Sequence, residues 1–201
     1  MDRDYRNNFS ITKKINFVMG HRVFTQNLPT ELGKNKCRHL HGHEYVLEVF
    51  LTQNLQSDGM VLDFTYFNYL NDFIQKYIDH KFMLSIHDPL FERITGITLE
   101  KSKLLSVSMC RDNESNICVS KEKSNTTLFY IFDNTYDENK NEHRESFILV
   151  DFVPTAENLG LFFKQVITSL KEIGKIPESI QVEKIRLYET MKAYVEVNFL
   201  Q

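Results

Sequence analysis

The sequence predicts an α+β fold from three observations. Two early segments alternate apolar and polar residues, two later ones repeat apolar residues at helical spacing, and the chain closes with two more strand-like runs. Its 201 residues suit one domain over 1–201 that carries an inserted segment, because a chain of this length can enclose a sizeable core without dividing.

The first strand is expected from Phe9 to His21, where Phe9, Ile11, Ile15, Phe17 and Met19 share one face, Lys13 interrupts it and His21 ends it. After a loop over Asn27–Leu40, the second runs from His41 to Leu51, with His43, Tyr45, Leu47, Val49 and Leu51 on one face. A helix is expected over 66–80 from Phe67, Leu70, Phe73, Ile74, Tyr77 and Ile78, with Thr65 as its N-cap and Asp79-His80 as its end. The next helix opens at Pro154-Thr155. Thr155 is its N-cap, Glu157 lies near the positive end of the dipole, and the stripe runs Leu159, Phe162, Phe163, Val166, Leu170, Ile173 until Gly174. Ile180–Glu189 and Ala193–Phe199 are the last strands, with a bulge expected where the apolar phase slips between Val182 and Ile185.

Between the helices, short apolar runs at Leu104–Cys110, Leu128–Phe132 and Phe147–Phe152 alternate with polar stretches, among them Asp133–Ser146. So long a connection calls for structure of its own, and an inserted, peripheral β-meander at about 88–150 is expected.

Composition narrows the function. The net charge of -3 offers no basic surplus for nucleic acid, so a small-molecule partner is expected. No apolar run is long enough to span a bilayer and the N-terminus lacks a signal-peptide core, so no membrane role and a cytoplasmic location are expected. The three cysteines, Cys37, Cys110 and Cys118, are an odd number in such a chain; no disulfide framework is expected, and Cys110 and Cys118 read as reduced structural residues.

The chemistry concentrates in Cys37-Arg38-His39-Leu40-His41-Gly42-His43. His41 and His43, two apart on a strand, project from one face, and antiparallel pairing of the first two strands brings His21 beside them. Three imidazoles with an open fourth position form the catalytic zinc pattern. Imidazole favours Zn2+ over magnesium, and no carboxylate cluster surrounds the site.

Further motifs follow in order: Gly59-Met60-Val61-Leu62-Asp63-Phe64, Asp79-His80, Pro154-Thr155-Ala156-Glu157-Asn158 and Tyr188-Glu189-Thr190. With Phe17–His21, Cys37 and His41-Gly42-His43 they resemble the 6-pyruvoyl and 6-carboxytetrahydropterin synthase family over residues 9–199 apart from the insertion. The resemblance implies the tunnelling fold, a four-stranded antiparallel sheet with two helices on one face, here with an inserted β-rich segment. It also implies edge-to-edge assembly into a homo-oligomeric barrel, a trimer or a dimer of trimers.

The resemblance further implies roles. Zn2+ on His21, His41 and His43 would bind the side-chain hydroxyls of 7,8-dihydroneopterin triphosphate, and Cys37 would be the general base, its pKa lowered by the adjacent cations. His80, oriented by Asp79, would be a second proton-transfer residue, Glu189 would anchor the pterin ring and Thr155 would add a hydrogen bond. The three-residue gap between Cys37 and His41 matches the carboxy branch, which implies release of acetaldehyde and triphosphate in queuosine biosynthesis. A 6-pyruvoyltetrahydropterin synthase acting on the same substrate is the alternative. More distant ones are a zinc hydrolase using metal-bound water and a noncatalytic pterin-binding protein.

Overall fold

The computed structural model describes residues 8–99, 104–111, 116–133 and 142–199. β1 (Asn8–His21) and β2 (His41–Asn54) form a long antiparallel pair whose register sets Met19 opposite His43, Gly20 opposite Gly42 and His21 opposite His41. The odd residues Ile15, Phe17, Met19, Tyr45, Leu47, Val49 and Leu51 are buried, as their alternation requires.

A 3-10 turn over Phe64–Phe67 leads into α1 (Asn68–Tyr77). The cap lies two residues before the expected Thr65: Asp63 accepts from the Thr65 N–H at 2.8 Å, because the tight entry turn makes that N–H an unpaired donor. β3 (Lys81–Ser85), α2 (Phe91–Thr95), β4 (Leu104–Met109), β5 (Ile117–Ser120), β6 (Phe129–Phe132), α3 (Glu142–Glu145) and β7 (Phe147–Val150) follow. Most of the polar stretch expected at Asp133–Ser146 lies outside the described residues. The second long helix, α4 (Ala156–Glu172), is capped as expected by Thr155, which accepts from the Asn158 N–H at 3.3 Å. β8 (Gln181–Thr190) and β9 (Ala193–Asn198) complete the chain. The expected bulge sits at Glu183, since Phe50 pairs with Lys184 and Leu51 with Val182.

The strands form one sheet in the order β5-β4-β6-β7-β3-β1-β2-β8-β9. The four-stranded antiparallel sheet expected from the sequence is its β1-β2-β8-β9 part. The whole sheet is larger and mixed: β3 pairs parallel to β1, β7 pairs parallel to β3, and β6, β4 and β5 continue outward in antiparallel pairs. α1 and α4 share one apolar cluster with the odd face of the sheet, and the Phe17 and Phe163 rings lie 5.4 Å apart. Val107, Ile117, Phe129 and Ile148, from the segment between the helices, join that cluster. Each such large side chain contributes about 1.5–3 kcal/mol on burial.

The cysteines of that segment correct an expectation. Cys110 and Cys118 are joined in a disulfide: the β4–β5 register pairs Met109 with Ile117 and brings the flanking cysteines to a Cα separation of 5.8 Å, within bridging range. Cys37 is free and half-buried.

Candidate active site

His21 and His41 face each other across the β1–β2 pair, and His43 lies two residues on along the same face. The ring centroids are 4.5 Å apart for His21–His41, 5.3 Å for His21–His43 and 5.1 Å for His41–His43. One ring nitrogen of each lies within 4.8 Å of the others, so the trio can hold a metal ion. Glycine at 42 keeps the backbones close on the other face, where a Cβ would stand 3.0 Å from the Met19 carbonyl oxygen.

Backbone carbonyls orient two of the rings. His21 Nδ1 lies 2.7 Å from the Pro154 carbonyl oxygen and His41 Nδ1 lies 2.8 Å from that of His39. A carbonyl only accepts, so each Nδ1 carries the hydrogen and each Nε2 keeps a lone pair. The Nε2 of His21 is buried without a partner. Burial pushes the His21 imidazole down to about 4 against the opposing Pro154 bond, and burial also lowers His43, with Glu189 opposing.

Glu189 occupies a bulge in the β8–β9 register, and its Oε1 lies 3.4 Å from His21 Nε2 and 3.9 Å from His43 Nε2. With the His21 hydrogen on Nδ1, two acceptors face each other across 3.4 Å without a hydrogen bond, which leaves the His21 lone pair for a cation shared with His41 and His43 and the carboxylate for a donor-bearing ligand. Three imidazoles as donors suit a transition-metal dication.

Cys37 sits in a 3-10 turn, Lys36–Arg38, where the Gln26 side-chain oxygen accepts from its N–H at 2.9 Å and its carbonyl accepts from the Val23 N–H at 2.8 Å. Tyr45 is buried, its ring lies 6.1 Å from that of His21 and 5.8 Å from that of His43, and its hydroxyl has no partner. The phenol is pushed up, first by burial and then by Glu189 and Cys37.

Asp79 and His80 form a dyad at the start of β3. His80 adopts a left-handed backbone conformation, φ 58°, and its Nδ1 lies 2.7 Å from Asp79 Oδ2. Asp79 Oδ1 accepts from the Val18 N–H at 2.7 Å, and the His80 N–H donates to the Val18 carbonyl at 2.8 Å, which fixes the pair to β1. The His80 side chain is largely exposed. No hydrogen bond or ion pair joins the dyad to the trio or to Cys37 among the described residues; His43 and His80 instead border one open groove of about 500 Å3 with Gly20, Gly42, Glu44 and Phe82. Thr155 lies next to Pro154 and uses its oxygen as the α4 cap. Sequence reasoning missed three features: Tyr45, which reads as one more apolar strand position, the Pro154 carbonyl, and the ion pair of Arg22 with Asp88, whose members are too far apart in sequence to be paired by inspection.

Comparison with known proteins agrees with this geometry. The family described as 6-pyruvoyl tetrahydropterin synthase matches residues 10–199. A 6-carboxy-5,6,7,8-tetrahydropterin synthase of Aquifex aeolicus is 29% identical over 199 residues, covering 94% of this chain and 96% of that protein. The protein of the same name from Rickettsia felis is 27% identical over 187 residues, covering 92% and 97%. Among solved structures, an uncharacterised protein of Wolinella succinogenes superposes with a TM-score of 0.75 at 26% identity, covering 96% of this chain and 99% of that one. Plasmodium vivax 6-pyruvoyltetrahydropterin synthase shares the fold, with a TM-score of 0.52 at 16% identity and coverage of 96% and 99%. Since the match runs through both strands of the histidine site, α4 and the Glu189 strand, the chain belongs to the 6-pyruvoyl tetrahydropterin synthase family.

Proposed function

We propose that the chain is a zinc-dependent 6-carboxy-5,6,7,8-tetrahydropterin synthase. It takes 7,8-dihydroneopterin triphosphate and one water to 6-carboxy-5,6,7,8-tetrahydropterin, acetaldehyde and triphosphate, a step of queuosine biosynthesis. The observation that carries this reading is the buried, partnerless Nε2 of His21, oriented with His41 and His43 beside Glu189. The names of the Aquifex and Rickettsia relatives support the product class.

In this reading His21, His41 and His43 would hold Zn2+, which when bound would supply Lewis acidity toward the side-chain hydroxyls of the substrate. Cys37 takes the proton, held in its turn by Val23 and Gln26. Glu189 accepts the paired N–H donors of the pterin's guanidine-like edge, and the hydroxyl of Thr155, whose oxygen already accepts from Asn158, can still donate to the ring. Asp79 keeps the hydrogen on Nδ1 of His80, so its Nε2 is the atom that exchanges a proton at the groove. Assembly into a trimer or dimer of trimers would use the edges of β5 and β9, the end strands of the sheet among the described residues.

The deciding experiment uses zinc-loaded protein and 7,8-dihydroneopterin triphosphate. Coupled alcohol dehydrogenase should consume NADH alongside triphosphate release, with 6-carboxy-5,6,7,8-tetrahydropterin seen by mass spectrometry. Triphosphate without acetaldehyde, together with 6-pyruvoyltetrahydropterin, would assign the pyruvoyl reaction. Neither product would sink both.

A further inference from the structure

We propose that Arg22 and Asp88 form a buried clamp that positions Cys37 for proton transfer, an inference that rests on Cys37 being the base. Both side chains are almost fully enclosed. Arg22 Nη1 donates to Asp88 Oδ1, and Arg22 Nε donates to the Arg38 carbonyl at 2.5 Å, one peptide beyond Cys37. The rigid, planar guanidinium fork fixes these two donors relative to one another, so the position of Asp88 dictates the position of that carbonyl.

The Asp88 end is itself fixed. Its Oδ1 also accepts from the Leu90 N–H at 2.8 Å, its N–H donates to the Ser85 carbonyl at 3.1 Å, and its carbonyl accepts from the Phe91 N–H at 2.8 Å. It therefore stands in the turn that leaves β3, tied back to that strand's last residue, while the other end of the clamp holds the Cys37 turn.

Three consecutive carbonyls of that turn and its C-cap are tied to the exit of β1 and to the first residue of β2. Those of Cys37, Arg38 and His39 meet the Val23 N–H, Arg22 Nε and His41 Nδ1. Arg22 directly follows His21, so the metal-facing ring and the middle tie share one stretch of β1 and its exit. Enclosing an ion pair is costly to desolvate, and Asp88 Oδ2 lacks even a hydrogen-bond partner. A pair kept under those conditions serves geometry here: among the described residues, the Arg22 Nε bond is the one hydrogen bond to the carbonyl of Arg38.

The test measures triphosphate release from 7,8-dihydroneopterin triphosphate by the zinc-loaded full chain. Arg22→Lys keeps the charge but cannot reach both acceptors; kcat should fall about 10-fold or more, with KM within about twofold and zinc content unchanged. Asp88→Asn keeps the Oδ1 acceptor and should lose less kcat than Asp88→Ala. It carries the test if Arg22→Lys fails to fold. In the Cys37→Ala background, Arg22→Lys should cause no further loss of the residual turnover, because the two residues act as a unit. An unchanged kcat in folded Arg22→Lys and Asp88→Ala, or an Arg22→Lys loss that recurs in the Cys37→Ala background, overturns the clamp while leaving Cys37 as the base. Full turnover in Cys37→Ala alone sinks the base assignment and the clamp with it.

Discussion

A histidine kept neutral inside a protein makes the metal-free fold sensitive to acid. His21 is lowered from 6.5 to about 4, chiefly by burial. Between those values the unfolded chain binds a proton that the folded chain refuses, so this contribution is complete above about 6.5 and is lost as pH falls toward about 4. The urea midpoint of metal-free protein should therefore drop between pH 7 and pH 5, and His21→Gln should flatten that slope; an equal slope in the variant would assign the acid sensitivity elsewhere. Cys37→Ala should retain metal and fold but lose about 10²-fold or more in turnover, the scale of a deleted proton-transfer group. Glu189→Ala should raise KM for the pterin substrate with metal content unchanged. Loss of metal there would make the 3.4 Å approach to His21 a ligand's approach.

At the scale of elements, the site depends on how closely three strands meet. A Cβ on Gly20 would stand 2.4 Å from the Phe82 ring on the neighbouring β3, so Gly20→Ala should lower stability by about 1–3 kcal/mol in denaturant titration. Thr155→Ala removes the α4 cap and should cost about 1 kcal/mol, a loss visible in stability even if pterin binding is untouched. β1, β2, α4 and β8 were legible in the sequence because each buries apolar residues at the period of its own structure, and β9 because Val195 and Val197 alternate with exposed residues. β3 was not: Lys81–Ser85 is short, and its buried end does not alternate. The parallel β3–β7 pairing was equally hidden, because neither strand carries a mark of its partner. The grouping of the three histidines was legible from residue type and spacing. Their second layer was not, since the Pro154 and His39 contributions are peptide carbonyls and the Asp88 contribution is a carboxylate 66 residues from Arg22.

For the whole molecule, one sheet joins the histidine strands to the segment between the helices, and Phe129 shows how firmly. It is buried from that segment against Phe73 and Tyr77 of α1, with ring separations of 6.3 and 6.0 Å. Phe129→Ala should cost about 3–5 kcal/mol and shift a single cooperative transition. A separate early transition would mean that the segment unfolds on its own. The chain order of the site has a further consequence, in time. All three imidazoles belong to the first 43 residues, whereas the carbonyl that fixes the His21 tautomer is at Pro154 and the facing carboxylate at Glu189. At roughly 5–20 residues per second, the ribosome takes on the order of 10 s to pass from one group to the other. A nascent chain thus exposes His21 before the Pro154 carbonyl and Glu189 that face it exist, and that part of the histidine site takes its shape only when synthesis has nearly finished.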